Sequence, residues 1–422
     1  MNLLLGCIAD DITGASDMGL MLARNGMPTS LFLGVPKADW RVSTPAVVIA
    51  LKIRTVAAEA AVAEATLAAN RLLSKQARQL FYKYCSTFDS TAKGNIGPVS
   101  NALLKLTGEA QTVLLPAFPA NGRTVRDGSL YVNGVPLAES SMREHPLTPM
   151  TESFLPSLMD AQTKPGQCAN IELQTVEAGP EAIGVALDAK RHQGKRYVCI
   201  DAVDDEHLDT IAAALVDRRF ITGGSGIGGA LPDALRNAGL LGTEESPRGM
   251  PALPGHAAVI AGSCSAATRQ QVALFEQRAA SFVLDPALLY NDPYAGEALA
   301  DAAVAASAES DVLVYSTTEP GELRKTQQAL GVMESAELIE TALAHVARRL
   351  WDAGIRKFAI AGGETSGAVA TALGIQEFRV SEEIDPGVPW LVADRPQPAC
   401  FAFKSGNFGR PDFFQHALDL LP

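Results

Sequence analysis

Short apolar runs alternate along this chain with longer stretches whose apolar residues recur at helical spacing. The runs predict strands at Leu3–Ala9, Ala46–Leu51, Leu80–Tyr84, Thr112–Leu115 and Tyr197–Ile200. The intervening stretches predict helices at Thr13–Asn25, Val56–Ser74 and Gly97–Leu106. Strands that are apolar on both faces and alternate with helices predict a parallel sheet covered on both sides. The segment Arg123–Leu137 breaks this rhythm. It carries the turn dipeptides Asp127-Gly128 and Asn133-Gly134, and reads as a hairpin.

From Leu240 to Pro254 proline, glycine and charge interrupt the pattern, which predicts a linker. Beyond it the rhythm restarts, with strands expected at Ala257–Ala261, Ser281–Leu284, Asp311–Tyr315, Lys357–Ala361 and Cys400–Phe403. Helices are expected at Ala266–Ala279, Ser335–Ala353 and Pro411–Leu420. The fold expected is α/β: two domains, residues 1–245 and 246–422, each a largely parallel sheet flanked by helices, with an active-site cleft between them.

Composition narrows the function. A length of 422 residues suits two domains, and 47% hydrophobic against 19% charged residues excludes disorder as the main state. The net charge of −12 excludes a nucleic-acid binder built on a basic stripe, but leaves room for a small anion held by a few local cations. No apolar run reaches the roughly 18–20 residues of a membrane span. The start, MNLLLGCIADD, reads as a buried strand rather than a signal peptide. The 6 cysteines are scattered without a C-x-x-C pair, as expected of free thiols in a reducing cytoplasm rather than of a zinc site. Nothing in the chain reads the oligomeric state, although the 123–137 segment would serve a dimer as well as a lid.

Three sets of residues carry candidate chemistry. The first is Ala9-Asp10-Asp11-Ile12-Thr13-Gly14-Ala15-Ser16-Asp17, between the first strand and the first helix. Open α/β sheets bind ligands at the carboxyl ends of their strands, and paired carboxylates there can hold hydroxyls or accept a proton. Helix capping is the plainer role for a single aspartate. The second set is cationic: Arg54 in LKIRT, just past a strand end, and Lys83 in a strand, followed by the loop Ser86–Asn95 with Asp89, Ser90 and Lys93. An arginine fork and a lysine charge suit a carboxylate, while aspartate and serine suit hydroxyls. The third set is three strand-to-helix turns rich in glycine and hydroxyls: Gly262–Thr268 with Ser263 and Ser265, Gly362-Gly363-Glu364-Thr365-Ser366-Gly367, and Ser405-Gly406-Asn407-Phe408-Gly409. Glycines let the backbone approach a phosphate, and helix starts supply oriented N–H donors. Three such turns in one sheet point to a nucleotide or polyphosphate, where each alone would read as a tight turn with a helix cap.

Gly224-Ser225-Gly226-Ile227-Gly228-Gly229 matches G-x-G-x-x-G in letters only. A short apolar stretch precedes it, and Pro232 falls in the helix start, so a hinge is expected rather than a dinucleotide site. The chain has no G-x-x-x-x-G-K-[ST], H-E-x-x-H or G-x-S-x-G. Of the histidines, His145 in REHPLTPM is singled out, while His192, His207, His256, His345 and His416 read as surface or core residues. From the residues alone an enzyme using a nucleotide, a nicotinamide-dependent dehydrogenase using the glycines at 224–229, and a non-catalytic ligand sensor all stay open.

ADDITGASD, LKIRT, YKYCSTFDSTAKGNIGP, PAFPANGRTVRDGSLYVNGVPL and HPLTPM resemble the substrate half of the four-carbon acid sugar kinases. IAGSCSAATRQQ, AGGETSGAV and FKSGNFG resemble their nucleotide half. The YKYCSTFDST and GRTVRDGSLYVNGVPL forms are most similar to members acting on 3-oxo-tetronate, rather than on threonate or erythronate. The resemblance implies ATP and Mg2+ as cofactors, a small sugar acid as partner, and phosphorylation of its C4 hydroxyl. It places ATP on Ser263 or Ser265, Gly362, Gly363, Glu364, Thr365, Gly406, Asn407 and Gly409. It places substrate on Asp10, Asp11, Arg54, Lys83, Asp89 and Ser90, with Asp10 or Asp11 as the group that orients or deprotonates the hydroxyl. Lys93 departs from the arginine common in the family before the Gly-Asn pair, which would turn a fork into a point charge.

Overall fold

The computed structural model describes residues 2–144, 148–243, 249–292, 294–317, 328–329 and 331–422. The chain divides into two compact units, Met1–Ser246 and Pro247–Pro422.

In the first unit the strands are β1 (Leu5–Ala9), β2 (Thr29–Leu33), β3 (Ala46–Ala50), β4 (Gln79–Lys83), β5 (Thr112–Leu115), the hairpin strands β6 (Arg123–Arg126), β7 (Ser129–Val132) and β8 (Val135–Pro136), then β9 (Cys168–Ile171), β10 (Tyr197–Ile200) and β11 (Phe220–Gly223). Its helices are α1 (Ile12–Arg24), α2 (Ala58–Ser74), α3 (Ile96–Thr107), α4 (Leu155–Gln162), α5 (Leu173–Glu177), α6 (Pro180–His192), α7 (Asp205–Leu215) and α8 (Ile227–Asn237). The sheet runs β2-β3-β1-β4-β11-β5-β10-β9, and its pairings are parallel. Every residue of β1, β3 and β4 is buried, which is why these strands read as unbroken apolar runs. After β1 the chain fills β2 and β3 on one side and returns to β4 on the other. This reversal opens a crevice at the carboxyl ends of β1 and β4.

The 123–137 segment forms a small antiparallel sheet, β6-β7-β8, with a turn at each Asx-Gly dipeptide rather than one hairpin. Asp127 and Asn133 take φ of 49° and 51°, followed by Gly128 and Gly134 at 71° and 80°, as such turns require. Asp201, just past β10, accepts the N–H groups of Asp127 and Gly128 at 2.7 and 2.9 Å and so fastens the first turn.

The expectation for residues 220–237 is corrected. Phe220–Gly223 is a parallel strand between β4 and β5, and α8 runs through Pro232, which is buried. The glycines of this turn serve close packing. A β-carbon at Gly226 would meet the Ala117 carbonyl at 2.4 Å, and one at Gly228 would meet the Met18 sulfur at 2.7 Å. Glu244 and Glu245, the acidic residues at dinucleotide-fingerprint distance, lie outside the described residues, as does His145.

The second unit comprises β12 (Ala258–Ala261), α9 (Ala266–Phe275), β13 (Ala280–Val283), α10 (Pro286–Asn291), α11 (Ala295–Ala306), β14 (Val312–Tyr315), α12 (Val332–Asp352), β15 (Lys357–Ala361), α13 (Gly363–Leu373), β16 (Glu377–Asp385), β17 (Val388–Ala393), β18 (Ala399–Lys404) and α14 (Phe413–Asp419). Its strands run β13-β14-β12-β15-β18-β17-β16, parallel as far as β18 and antiparallel beyond. Trp390 on β17 is fully buried and donates its indole N–H to the Ala417 carbonyl at 3.2 Å, tying α14 to the sheet. All the cysteines are free thiols. No helix among the described residues is long and apolar enough to cross a membrane.

Candidate active site

In the first unit the β1 and β4 strand ends bring together side chains far apart in sequence. Asp10 follows β1 and is 3% exposed. Arg54, past the end of β3, grips it as a fork: Nε to Oδ2 at 2.9 Å and Nη2 to Oδ1 at 2.8 Å. The same Nη2 lies 2.7 Å from Asp11 Oδ1, and Nη1 lies 3.8 Å from Asp89 Oδ2. Lys83, the last residue of β4, places Nζ 3.7 Å from Asp11 Oδ1. Asp11 also caps α1, accepting the Gly14 N–H at 3.1 Å and the Thr13 hydroxyl at 2.8 Å. The capping role and the site role therefore belong to one side chain.

The charges tune one another. Burial raises Asp11, but Arg54, Lys83 and the hydrogen bonds from Thr13 and Gly14 outweigh it and bring the carboxyl down to about 2. For Asp10 burial wins over Arg54 and raises the carboxyl above its ordinary value. Burial opposes the charge on Arg54 and on Lys83, yet the neighbouring carboxylates hold both more firmly protonated than usual. Asp11 has the more exposed side chain of the aspartate pair, 26% against 4% for Asp10. It is the carboxylate that can reach a ligand. Asp10, with both oxygens on Arg54, aims the guanidinium.

Three further residues of the same candidate segments belong to this cluster, although the sequence assigned no role to them individually. Asp17, one helical turn beyond Thr13, accepts a hydrogen bond from Ser225 in the glycine turn after β11. Its carboxyl is raised by burial, against the pull of Lys83. Asn95 donates its amide to the carbonyls of Ile53 and Val56 at 2.6 and 2.9 Å, fixing the segment that carries Arg54. Gly14 makes room: a β-carbon there would sit 1.8 Å from Lys83 Nζ.

Ser90, next to Asp89, makes its hydrogen bonds outside this group. It is buried, and its hydroxyl accepts a hydrogen bond from Gln162 on α4 at 2.9 Å. Gln162 Oε1 in turn accepts the Gly97 N–H at 2.8 Å, so Ser90 braces its own loop against α3 and α4. Lys93 is exposed on that loop. Thr91 and Ala92, with Met150, Glu152 and Leu158, line a cavity of about 280 Å3.

In the second unit the three glycine turns touch. A β-carbon at Gly262 would meet Thr365 Oγ1 at 2.2 Å, and one at Gly406 would meet Ser263 Oγ at 2.3 Å. Gly362 takes φ of 125° at the start of α13, and its N–H donates to the Lys404 carbonyl at 2.9 Å. Ser265 caps α9 by accepting the Thr268 N–H at 3.2 Å. Ser263 accepts the Ser265 N–H at 3.3 Å. Thr365 is buried, whereas Glu364 and Asn407 are exposed. The 405–410 turn is held by its carbonyls. Gln271 on α9 donates to those of Phe408, Gly409 and Arg410 at 3.0, 3.1 and 3.0 Å. Gly409 at φ 83° closes the turn over Phe413. These bonds leave the N–H groups of Gly406, Asn407 and Gly409 out of the clamp. Oriented donors and a packed glycine cradle fit a polyphosphate. Among the described residues no group of three or more His, Cys, Asp or Glu side chains could hold a metal.

A family model described as a sugar-binding N-terminal domain matches residues 5–231, and one described as a nucleotide-binding C-terminal domain matches residues 258–414. The chain is 43% identical to a 3-oxo-tetronate kinase of Burkholderia multivorans, over 99% of this chain and 97% of the relative. It is 43% identical to one of Methylobacterium radiotolerans over 100% of both chains. Among solved structures, a Salmonella typhimurium LT2 protein superposes with a TM-score of 0.89 at 41% identity, covering 100% of both chains. A Haemophilus influenzae protein superposes with a TM-score of 0.84 at 39% identity, covering 99% of this chain and 100% of that one. With the matched domains spanning both units and relatives aligned end to end, the chain belongs to the four-carbon acid sugar kinase family.

Proposed function

We propose that the chain transfers the terminal phosphoryl group of ATP to the C4 hydroxyl of 3-oxo-tetronate, giving 3-oxo-tetronate 4-phosphate and ADP. The observation that carries the substrate class is the pairing of Arg54 and Lys83 with Asp11 at the β1 and β4 strand ends. A short acid needs its carboxylate neutralised and its hydroxyls oriented, and these residues offer two firm cations beside one accessible carboxylate. The names of the relatives at 43% identity support the oxo acid as the member of that class.

In this mechanism Arg54 and Lys83 bind the substrate carboxylate. Asp10 keeps the Arg54 fork aimed, and Asp89 adds a second acceptor beside it. Asp11 accepts a hydrogen bond from the reacting hydroxyl and receives its proton late. A carboxylate held near 2 is a weak base. Weak basicity suffices in a loose phosphoryl transfer, where the nucleophile keeps its proton until the bond to the leaving group is nearly broken. In the second unit Ser263, Ser265, Gly362 to Thr365 and Gly406 to Gly409 hold the triphosphate through N–H groups and hydroxyls. Magnesium, when bound, neutralises charge on the phosphates. Glu364, the acidic residue of the three turns, is the side chain suited to meet it. Phosphorus NMR of the product tests the assignment. A phosphate monoester coupled to a CH2 group supports transfer to C4. A monoester on a CH group, or ATP consumed with free phosphate alone, rejects it.

A further inference from the structure

Lys404 ends β18 and is fully buried. Its ammonium donates to Thr268 Oγ1 at 3.1 Å and to the Ser405 and Gly406 carbonyls at 3.0 Å each, and it lies 5.9 Å from the centre of the Phe413 ring. The Gly406 carbonyl is gripped by more than the lysine: Ser265 Oγ donates to it at 2.5 Å and Thr268 Oγ1 at 2.9 Å. Three donors, one of them cationic, converge on a single peptide oxygen in the turn that carries Asn407 and Gly409.

We propose that Lys404 is a positioning residue for the nucleotide phosphates, fixing the Gly406 peptide and supplying beneath the turn a buried positive charge that the phosphates complete. The proposal rests on reading the 405–409 turn as part of the nucleotide site. The partners of Nζ are a hydroxyl and two carbonyls, with no carboxylate among them. The charged groups on the elements packed around it are Arg269 on α9, Lys357 on β15, Glu364 on α13, Glu377, Arg379, Glu382, Glu383 and Asp385 on β16, His416 and Asp419 on α14, and Arg410 and Asp412 in the segment after the turn. Arg410 is paired with Asp385 at 2.8 Å, and Arg269 donates to the Cys264 carbonyl at 2.8 Å. A buried cation without a counter-charge costs free energy that an arriving anion recovers. Burial lowers the Lys404 ammonium to about 7. Above neutrality the free protein therefore holds Lys404 largely uncharged, and a bound triphosphate favours the charged form. Nucleotide binding then takes up a proton, and ATP affinity falls as pH rises, by at most about tenfold per pH unit.

The test is calorimetric titration of the whole protein with ATP and excess magnesium at about pH 8 in two buffers of different ionisation heat. It is repeated on Lys404→Met, alongside steady-state kinetics. The expected result is uptake approaching one proton per nucleotide in the wild type and none in the variant. The variant's KM for ATP rises about tenfold or more, while its KM for the sugar acid stays within about twofold. If the variant does not fold, the wild-type titration alone decides. Tight ATP binding without proton uptake, or an uptake that survives Lys404→Met, overturns the proposal and leaves the nucleotide site standing. No ATP binding by the wild type overturns the nucleotide reading, and this proposal with it.

Discussion

A β-carbon at position 14 would lie 1.8 Å from the Lys83 ammonium, so the glycine of α1 and the lysine of β4 fit only as a pair. That β-carbon would also meet Asp11 Oδ1 at 2.3 Å, so Gly14→Ala must displace the tips of both Lys83 and Asp11. The expected effect is a loss of about tenfold or more in kcat/KM for the acid, at least the worth of one charge-assisted contact, with KM for ATP unchanged. Gly184 on α6 has open space around it. Gly184→Ala is the control, and stabilises by about 0.5–1 kcal/mol through helix propensity alone. Steady-state kinetics and a denaturant titration on both variants check the pair.

Arg54→Lys keeps the charge and loses the fork that Asp10 receives at 2.8 and 2.9 Å. The expected loss is about hundredfold in kcat/KM for the acid. Asp10→Asn weakens the same fork from the other side, so the double variant should lose far less than the product of the two single losses. Full multiplicativity in this cycle would mean that Asp10 does not act through Arg54.

Asp11→Asn should lower kcat far more than it changes KM, because its carboxylate meets the reacting hydroxyl. The wild-type carboxyl sits at about 2, so Asp11 stays ionised and contributes no acid limb to the rate profile above about pH 4. A rate profile from about pH 5 to 9 checks this. An acid limb near neutrality that vanishes in Asp11→Asn would contradict it.

Lys404 also predicts a stability profile. Its ammonium is lowered from 10.5 to about 7 in the folded protein. Between those values the unfolded chain holds a proton that the folded one lacks, so stability rises with pH, by at most about 1.4 kcal/mol per unit. Below about 7 both states are protonated and the slope disappears. Urea titrations of wild type and Lys404→Met across this range should show the slope in the first and its loss in the second.

The strand ends were legible because buried parallel strands are unbroken apolar runs, and ligands bind at the loops that leave their carboxyl ends. That places Asp10, Arg54 and Lys83 without any knowledge of contacts. Ser225 was not legible as a partner of Asp17, since 208 residues separate them and only folding joins α1 to the turn after β11. Pro232 misled because a proline in a helix pattern argues for a break, yet α8 accepts it in its interior. β16 and β17 were missed: their charged and turn residues, Glu382, Glu383 and Asp385-Pro386-Gly387, hide the alternation. Lys404 was visible only as a letter beside a glycine turn. Its burial, which gives it meaning, comes from Thr268 on α9, the 405–406 turn and the Phe413 ring, which only folding brings together.

The most direct test of the central claim is a coupled ADP-release assay with ATP and magnesium, run on 3-oxo-tetronate generated in situ, D-threonate, L-threonate and D-erythronate. Turnover on the oxo acid, with kcat/KM at least about a hundredfold above the tetronates, is the predicted result. Turnover on a tetronate in preference to the oxo acid would contradict the substrate assignment.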